Sequence, residues 1–188
     1  MKKQRKLDFI LEERDDYKLI FRFYPRQSSC HSFDEKPPTK PEDVYKVYYS
    51  YAIIEQSRWE PDEPWESEIL FYQYCDECSI IDEIGEICLL LSKGIEEFTT
   101  SDNRIIPLLN DCKHAFGMGT NWFITKHTCI EYGYEEDNED IETIYYRFML
   151  FKYNGVGFKF TLKKDKIKEF GEYLLKCCDY MLKHGNPI

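Results

Sequence analysis

The chain has no apolar run near the roughly 20 residues that a membrane-crossing helix requires. Its longest clear run is Ile87 to Leu91, which excludes spanning by helices. The opening residues, MKKQRKLDFILEERDD, begin basic like an export signal, but their apolar stretch contains Asp8 and stops at Glu12. That is too short for a signal's hydrophobic segment, so the chain is expected in the cytoplasm with its eight cysteines as reduced thiols.

The motifs of catalysis are missing as well. No GxSxG, HExxH, GxGxxG or Walker A pattern occurs, so the nucleophile elbow, the zinc-protease pair and the glycine-rich phosphate cradles are absent. Gly117-Met118-Gly119 is a turn-forming pair. The four histidines, His31, His114, His127 and His184, lie far apart in the sequence and suggest no catalytic set. The chain is therefore read as non-enzymatic and without a cofactor.

Basic residues are scarce in the middle of the chain. Residues 59–142 carry 4 Lys and Arg against 21 Asp and Glu, whereas residues 1–58 carry 12 against 10 and residues 143–188 carry 9 against 4. The net charge of −10 thus comes from one acidic block between mildly basic ends. Such asymmetry bears on partners and association rates rather than on fold.

What is abundant is aromatic side chains, 15 Tyr, 13 Phe and 3 Trp, mostly in strand-like runs. Leu7–Glu13 and Lys18–Tyr24 read as a hairpin around Arg14-Asp15-Asp16, followed by a proline-rich loop over 25–43. Val44–Glu55 alternates as a strand with Tyr45, Val47, Tyr49, Tyr51 and Ile53 on one face. A loop, RWEPDEPWES, precedes a strand over Glu68–Tyr74. Ile80, Ile84, Ile87, Cys88, Leu91 and Ile95 then form one helical stripe, started by Ser79 and Asp82 and stopped by Lys93-Gly94. A short helix is expected within 103–118 and a strand over Trp122–Tyr134. Thr143–Tyr153 and Val156–Leu162 form a hairpin whose Asn154-Gly155 tolerates the positive φ angles of a two-residue turn. The last helix covers Asp165–His184.

These elements give an α+β class with antiparallel sheets and two helices, in one domain over 1–188. Shifted by 86 positions, EILFYQYCDECSIIDEIGEICLL lies over NGVGFKFTLKKDKIKEFGEYLLK, matching Glu83, Gly85, Glu86 and Leu89 to Glu169, Gly171, Glu172 and Leu175. This suggests a duplicated β-meander-plus-helix unit, with pseudo-repeats over about 1–100 and 101–188.

Cys75-Asp76-Glu77-Cys78 is a CxxC at a strand-to-helix junction, where a helix N-terminus lowers a thiol pKa. Its two acidic inner residues disfavour a thiolate, and its antiparallel surroundings differ from a redox βαβ unit. Cys75, Cys78, Cys112 and His114 are zinc ligands by type, but the second knuckle is irregular; buried cysteines acting as small hydrophobes are the ordinary reading. The run Glu135–Asp140 lacks the ligand pattern of an EF-hand.

The leading expectation is a binding protein whose acidic surface engages a basic protein, as an immunity protein or phage-type inhibitor of a nucleic-acid-handling partner does. Its contact residues would be Glu135, Glu136, Asp137, Glu139 and Asp140, then Trp59, Glu60, Asp62, Glu63, Trp65 and Glu66, since Trp is favoured at binding hot spots. Direct nucleic-acid binding is disfavoured because phosphates call for Lys and Arg. One alternative is single-stranded nucleic-acid binding on Tyr45, Tyr48, Tyr49 and Tyr51, which would stack on bases. Another is a zinc- or thiol-dependent protein centred on Cys75 and Cys78.

Overall fold

A computed structural model describes residues 7–24, 48–110, 113–114, 120–131, 141–152 and 154–184, with side chains for all of these except 48–49, 74–79, 113–114, 131, 141 and 181–184. Strand alternation and helical spacing produce the expected α+β class. Four strands, β1 (Leu7–Arg14), β2 (Tyr17–Tyr24), β3 (Tyr48–Ser57) and β4 (Glu66–Glu77), run into helix α1 (Cys78–Ser92). A small ribbon of β5 (Glu97–Thr99) and β6 (Ile105–Pro107) follows. Then β7 (Lys113–His114), β8 (Thr120–Glu131), β9 (Ile141–Lys152) and β10 (Gly157–Lys163) run into α2 (Lys164–His184). The sheets are ordered β1-β2-β3-β4 and β10-β9-β8-β7, each an antiparallel meander. α1 and α2 begin 86 residues apart, the same offset as the sequence match.

Each sheet turns one set of alternating residues inward. In the first, Phe9, Phe21, Ile53 and Phe71 share one cross-strand row. In the second, Ile124, Phe148 and Phe160 do so. One hydrophobic cluster draws on both sheets and both helices. Tyr51 and Trp122, from opposite sheets, approach to 5.7 Å between ring centroids. Phe170 of α2 packs edge-on against Phe21 at 5.5 Å and against Phe148 and Phe160 at 5.5 and 5.6 Å, so one helix fastens both sheets. α2 also covers the edge of β1: Tyr173 Oη donates to the Leu7 carbonyl (2.9 Å) and Lys166 Nζ to that of Leu11 (3.2 Å). Burial pushes the Tyr173 phenol well above its ordinary pKa, which keeps it a donor.

Three expectations are corrected. The β9–β10 hairpin does not close on a two-residue turn: Lys152 N–H donates to the Val156 carbonyl (2.8 Å) and Gly155 N–H to that of Lys152 (2.9 Å), the pattern of a three-residue loop with Gly155 at a positive φ of 81°. Ile95 does not belong to the α1 stripe: Gly94, at φ 78°, ends the helix, and Ile95 donates its backbone N–H back to Leu90 (3.1 Å) with its side chain exposed. That is a glycine-terminated helix end. The helix expected within 103–118 is replaced, among the described residues, by β6 and β7. Asn103 and Asn110 take positive φ of 61° and 60°, Pro107 has no N–H to give a helix, and Leu108 bonds back to the Glu96 carbonyl (2.9 Å) to close the ribbon.

Candidate functional site

The second sheet has an outer face set by strict alternation. With Trp122, Ile124, Tyr146, Phe148, Leu150, Phe160 and Leu162 buried in the core, their strand neighbours must point the other way. Register aligns these into three rows: Phe123–Met149–Lys159, Thr125–Arg147–Thr161 and His127–Tyr145–Lys163. Phe151 extends the first, its ring edge-on to Phe123 at 6.0 Å and 40% exposed. Lys163 Nζ sits 5.6 Å from the Tyr145 ring centre. Thr125 Oγ1 and His127 Nε2 are 3.0 Å apart.

No carboxylate belongs to this face among the described side chains. Neither Arg147 nor Lys159 is paired with one there. The first sheet's corresponding outer face differs. There Asp8 holds the Arg22 guanidinium with two bonds of 2.7 Å, Gln56 donates to Ser67 (2.9 Å), and Ile20, Ala52 and Ile54 are buried in a small apolar cluster. Beside the lysine-bearing end of the second face, where α2 begins, lies a cleft of about 580 Å³ bordered by Lys163, Lys164, Lys168, Glu142 and Asp165.

The described carboxylates of the acidic block fall into separate groups. Glu60, Asp62, Glu63 and Glu66 lie on the β3–β4 hairpin and are exposed. Asp82 and Glu86 lie on α1 near Asp179 of α2; partial burial first, and these two neighbours second, raise the Asp82 pKa. Glu96 and Asp102 on the ribbon are neutralised by Lys126 (2.6 Å) and Arg104 (2.8 Å). The 12 residues of β4, at about 3.3 Å each, put roughly 36 Å between the hairpin end and the start of α1. The acidic block is therefore not one patch among the described residues.

The hairpin tip is held in shape by Arg58, which donates to the Asp15 carbonyl (2.8 and 3.2 Å) and to that of Pro61 (2.6 Å). Its guanidinium also lies 4.7 Å from the Trp65 ring, which Lys18 approaches to 5.0 Å. Trp65 is thereby engaged within the fold, whereas Trp59 is 89% exposed. Glu135, Glu136, Asp137, Glu139 and Asp140 lie outside the described residues, as do Cys112 and the side chains of Cys75, Cys78 and His114. Among the described residues no group of three or more His, Cys, Asp or Glu is placed to hold a metal ion. Cys88, Cys177 and Cys178 are buried and Cys129 exposed; burial pushes the Cys88 thiol pKa far up.

The tyrosine platform expected on β3 is corrected at the one position that is described. Tyr51 is fully buried, stacked on Phe21 at 5.0 Å; Tyr45 and the side chains of Tyr48 and Tyr49 lie outside the described residues. Sequence reasoning missed Phe123, Tyr145, Arg147, Phe151 and Lys159. The available signal was parity: taking Phe148 and Phe160 as inward would have turned Tyr145, Arg147, Phe151 and Lys159 outward, and taking Trp122 and Ile124 as inward would have turned Phe123 outward.

Comparison with protein-family models, with curated proteins and with solved structures finds no match to this chain. No helix among the described residues is long and apolar enough to cross a membrane.

Proposed function

We propose that this chain binds single-stranded nucleic acid on the outer face of the second sheet. The observation carrying this reading is the interleaving of rings (Phe123, Tyr145, Phe151) with cations (Arg147, Lys159, Lys163), with no carboxylate among the face's described side chains. Every base offers a π-face to an aromatic ring, and phosphates are drawn to Lys and Arg. The net charge of −10 does not oppose this, because fields decay over about 8 Å at physiological ionic strength. The side chains on the face itself set its attraction for phosphate. This ranking reverses the one reached from charge counts along the chain.

Fluorescence anisotropy with a labelled strand of about 20 nucleotides, longer than the ~4–16 of single-strand platforms, tests it. The wild type binds the single strand more tightly than the duplex. Arg147→Glu with Lys159→Glu weakens binding by roughly tenfold or more. Equal affinity of wild type and variant would refute it.

A second reading rests on Trp59, 89% exposed on a hairpin tip bearing Glu60, Asp62 and Glu63. An exposed Trp on a hairpin tip that also carries exposed carboxylates suits a basic protein surface. Its test is salt-sensitive capture of a basic protein by the wild type and loss of that capture in Trp59→Ala; capture that ignores salt and Trp59 alike counts against it.

A further inference from the structure

Resting on the nucleic-acid reading, we infer that the face grips a strand at two separate stacking points joined by a phosphate-binding row, giving it a minimum ligand length. The aromatic groups are not spread evenly. Phe123 and Phe151 form one ring pair at 6.0 Å, and Tyr145, with the Lys163 ammonium 5.6 Å from its ring centre, forms the other point. The row between them, Thr125–Arg147–Thr161, carries a guanidinium and two hydroxyls and no ring. Hydroxyls and guanidinium favour phosphate oxygens over base faces.

Tyr145 and Phe151 stand six residues apart on one strand, which at about 3.3 Å per residue is roughly 20 Å. A strand keeping a stacked rise of ~3.4 Å spans this with about six nucleotides, and a stretched one with fewer. A ligand too short to reach both points gains one stacking contact. A ligand that reaches both gains the second as an intramolecular event, with an affinity increment well beyond that of one more phosphate.

The experiment is anisotropy titration of fluorescein-labelled oligothymidylates and oligouridylates of increasing length at fixed salt. Affinity is expected to step up about tenfold or more on reaching the span, then to rise only gradually. Tyr145→Leu and Phe151→Leu each remove the step and leave long strands bound at the short-strand level, while Tyr145→Phe keeps it. Both positions lie on the outer face, and thermal melts check that the variants fold. A smooth rise of affinity with length in the wild type, or a step that survives in Tyr145→Leu, overturns the two-point grip while leaving the binding surface standing. Absence of binding at every length overturns both. A step with one sugar chemistry alone supports the grip and identifies which nucleic acid it takes.

Discussion

Gly85 of α1 and Gly171 of α2 face each other where the helices cross: a β-carbon on Gly171 would lie 2.9 Å from the Gly85 carbonyl oxygen, and one on Gly85 would lie 3.3 Å from that of Gly171. The contact is reciprocal in its side chains too, with Leu175 against Gly85 and Leu89 against Gly171. Both pairs are related by the 86-residue offset, as a local twofold axis between the two meander-plus-helix units requires.

The crossing makes a stability prediction. In a free helix Gly→Ala gains about 1 kcal/mol, but overpacking a tight contact costs about 1–3 kcal/mol. At Gly171 the obstacles are Cys88 Cβ at 2.8 Å and a carbonyl oxygen, neither able to step aside. At Gly85 the nearest obstacles are Cγ and Cδ2 of Leu175, both at 2.9 Å, in a side chain that gives way more readily than a Cβ or a backbone carbonyl. Gly171→Ala should therefore lose about 1–2 kcal/mol in urea unfolding, and Gly85→Ala less. A stabilised Gly171→Ala would show that the helices do not meet this closely.

Salt dependence gives a second prediction. For single strands, the slope of log affinity against log salt is about −0.7 per phosphate neutralised. With Arg147, Lys159 and Lys163 as the contacts, the slope should be near −2. Lys159→Ala should make it shallower by about 0.7 at equal weakening across sequences. An unchanged slope would remove Lys159 from the contact set.

A third concerns Asp82, whose pKa is raised by burial and by Glu86 and Asp179. The folded state holds this proton more tightly than the unfolded chain, so the group's ionisation detracts from stability at neutral pH, and that loss is relieved as pH falls through the raised folded value toward the ordinary 3.8. Asp82→Asn should be more stable than wild type at pH 7, by under about 1 kcal/mol because solvent screens a partly exposed group. The difference should shrink toward pH 4. A gain independent of pH would assign the effect to something other than charge.

The hairpin tip supplies a fourth. Arg58 organises three backbone bonds and one ring contact, so Arg58→Ala should cost about 1–3 kcal/mol and expose Trp65. Trp59→Ala, at a side chain 89% exposed, should change stability by no more than about 0.5 kcal/mol. Thermal melts followed by tryptophan fluorescence check both; equal destabilisation by the two variants would contradict the anchoring role of Arg58.

Much of the architecture was legible because local chemistry and long-range packing agree. The β9–β10 hairpin was legible at Asn154-Gly155, although the loop is one residue longer than a two-residue turn and uses Gly155 at φ 81° as its left-handed residue, and the spacing of Ile80, Ile84, Ile87 and Leu91 matched the buried stripe of α1. The segment 103–118 was misread because Ile105, Ile106, Leu108 and Leu109 mimic helical spacing, while the turn at Thr100–Arg104 and Pro107 impose a ribbon. The candidate face was hidden for another reason. Strand β9 is apolar on both sides, with Tyr145, Met149 and Phe151 outward against Tyr146, Phe148 and Leu150 inward, so its pattern does not say which side meets solvent. Only register with β10, where Lys159 and Lys163 alternate with Phe160 and Leu162, separates the two.

Chemical-shift mapping by NMR during titration with a single-stranded oligonucleotide tests the central claim most directly. The account predicts perturbations concentrated on Phe123, Tyr145, Arg147, Phe151 and Lys159, with residues 58–66 unmoved. Perturbations confined to that hairpin, or none at low salt, would contradict it.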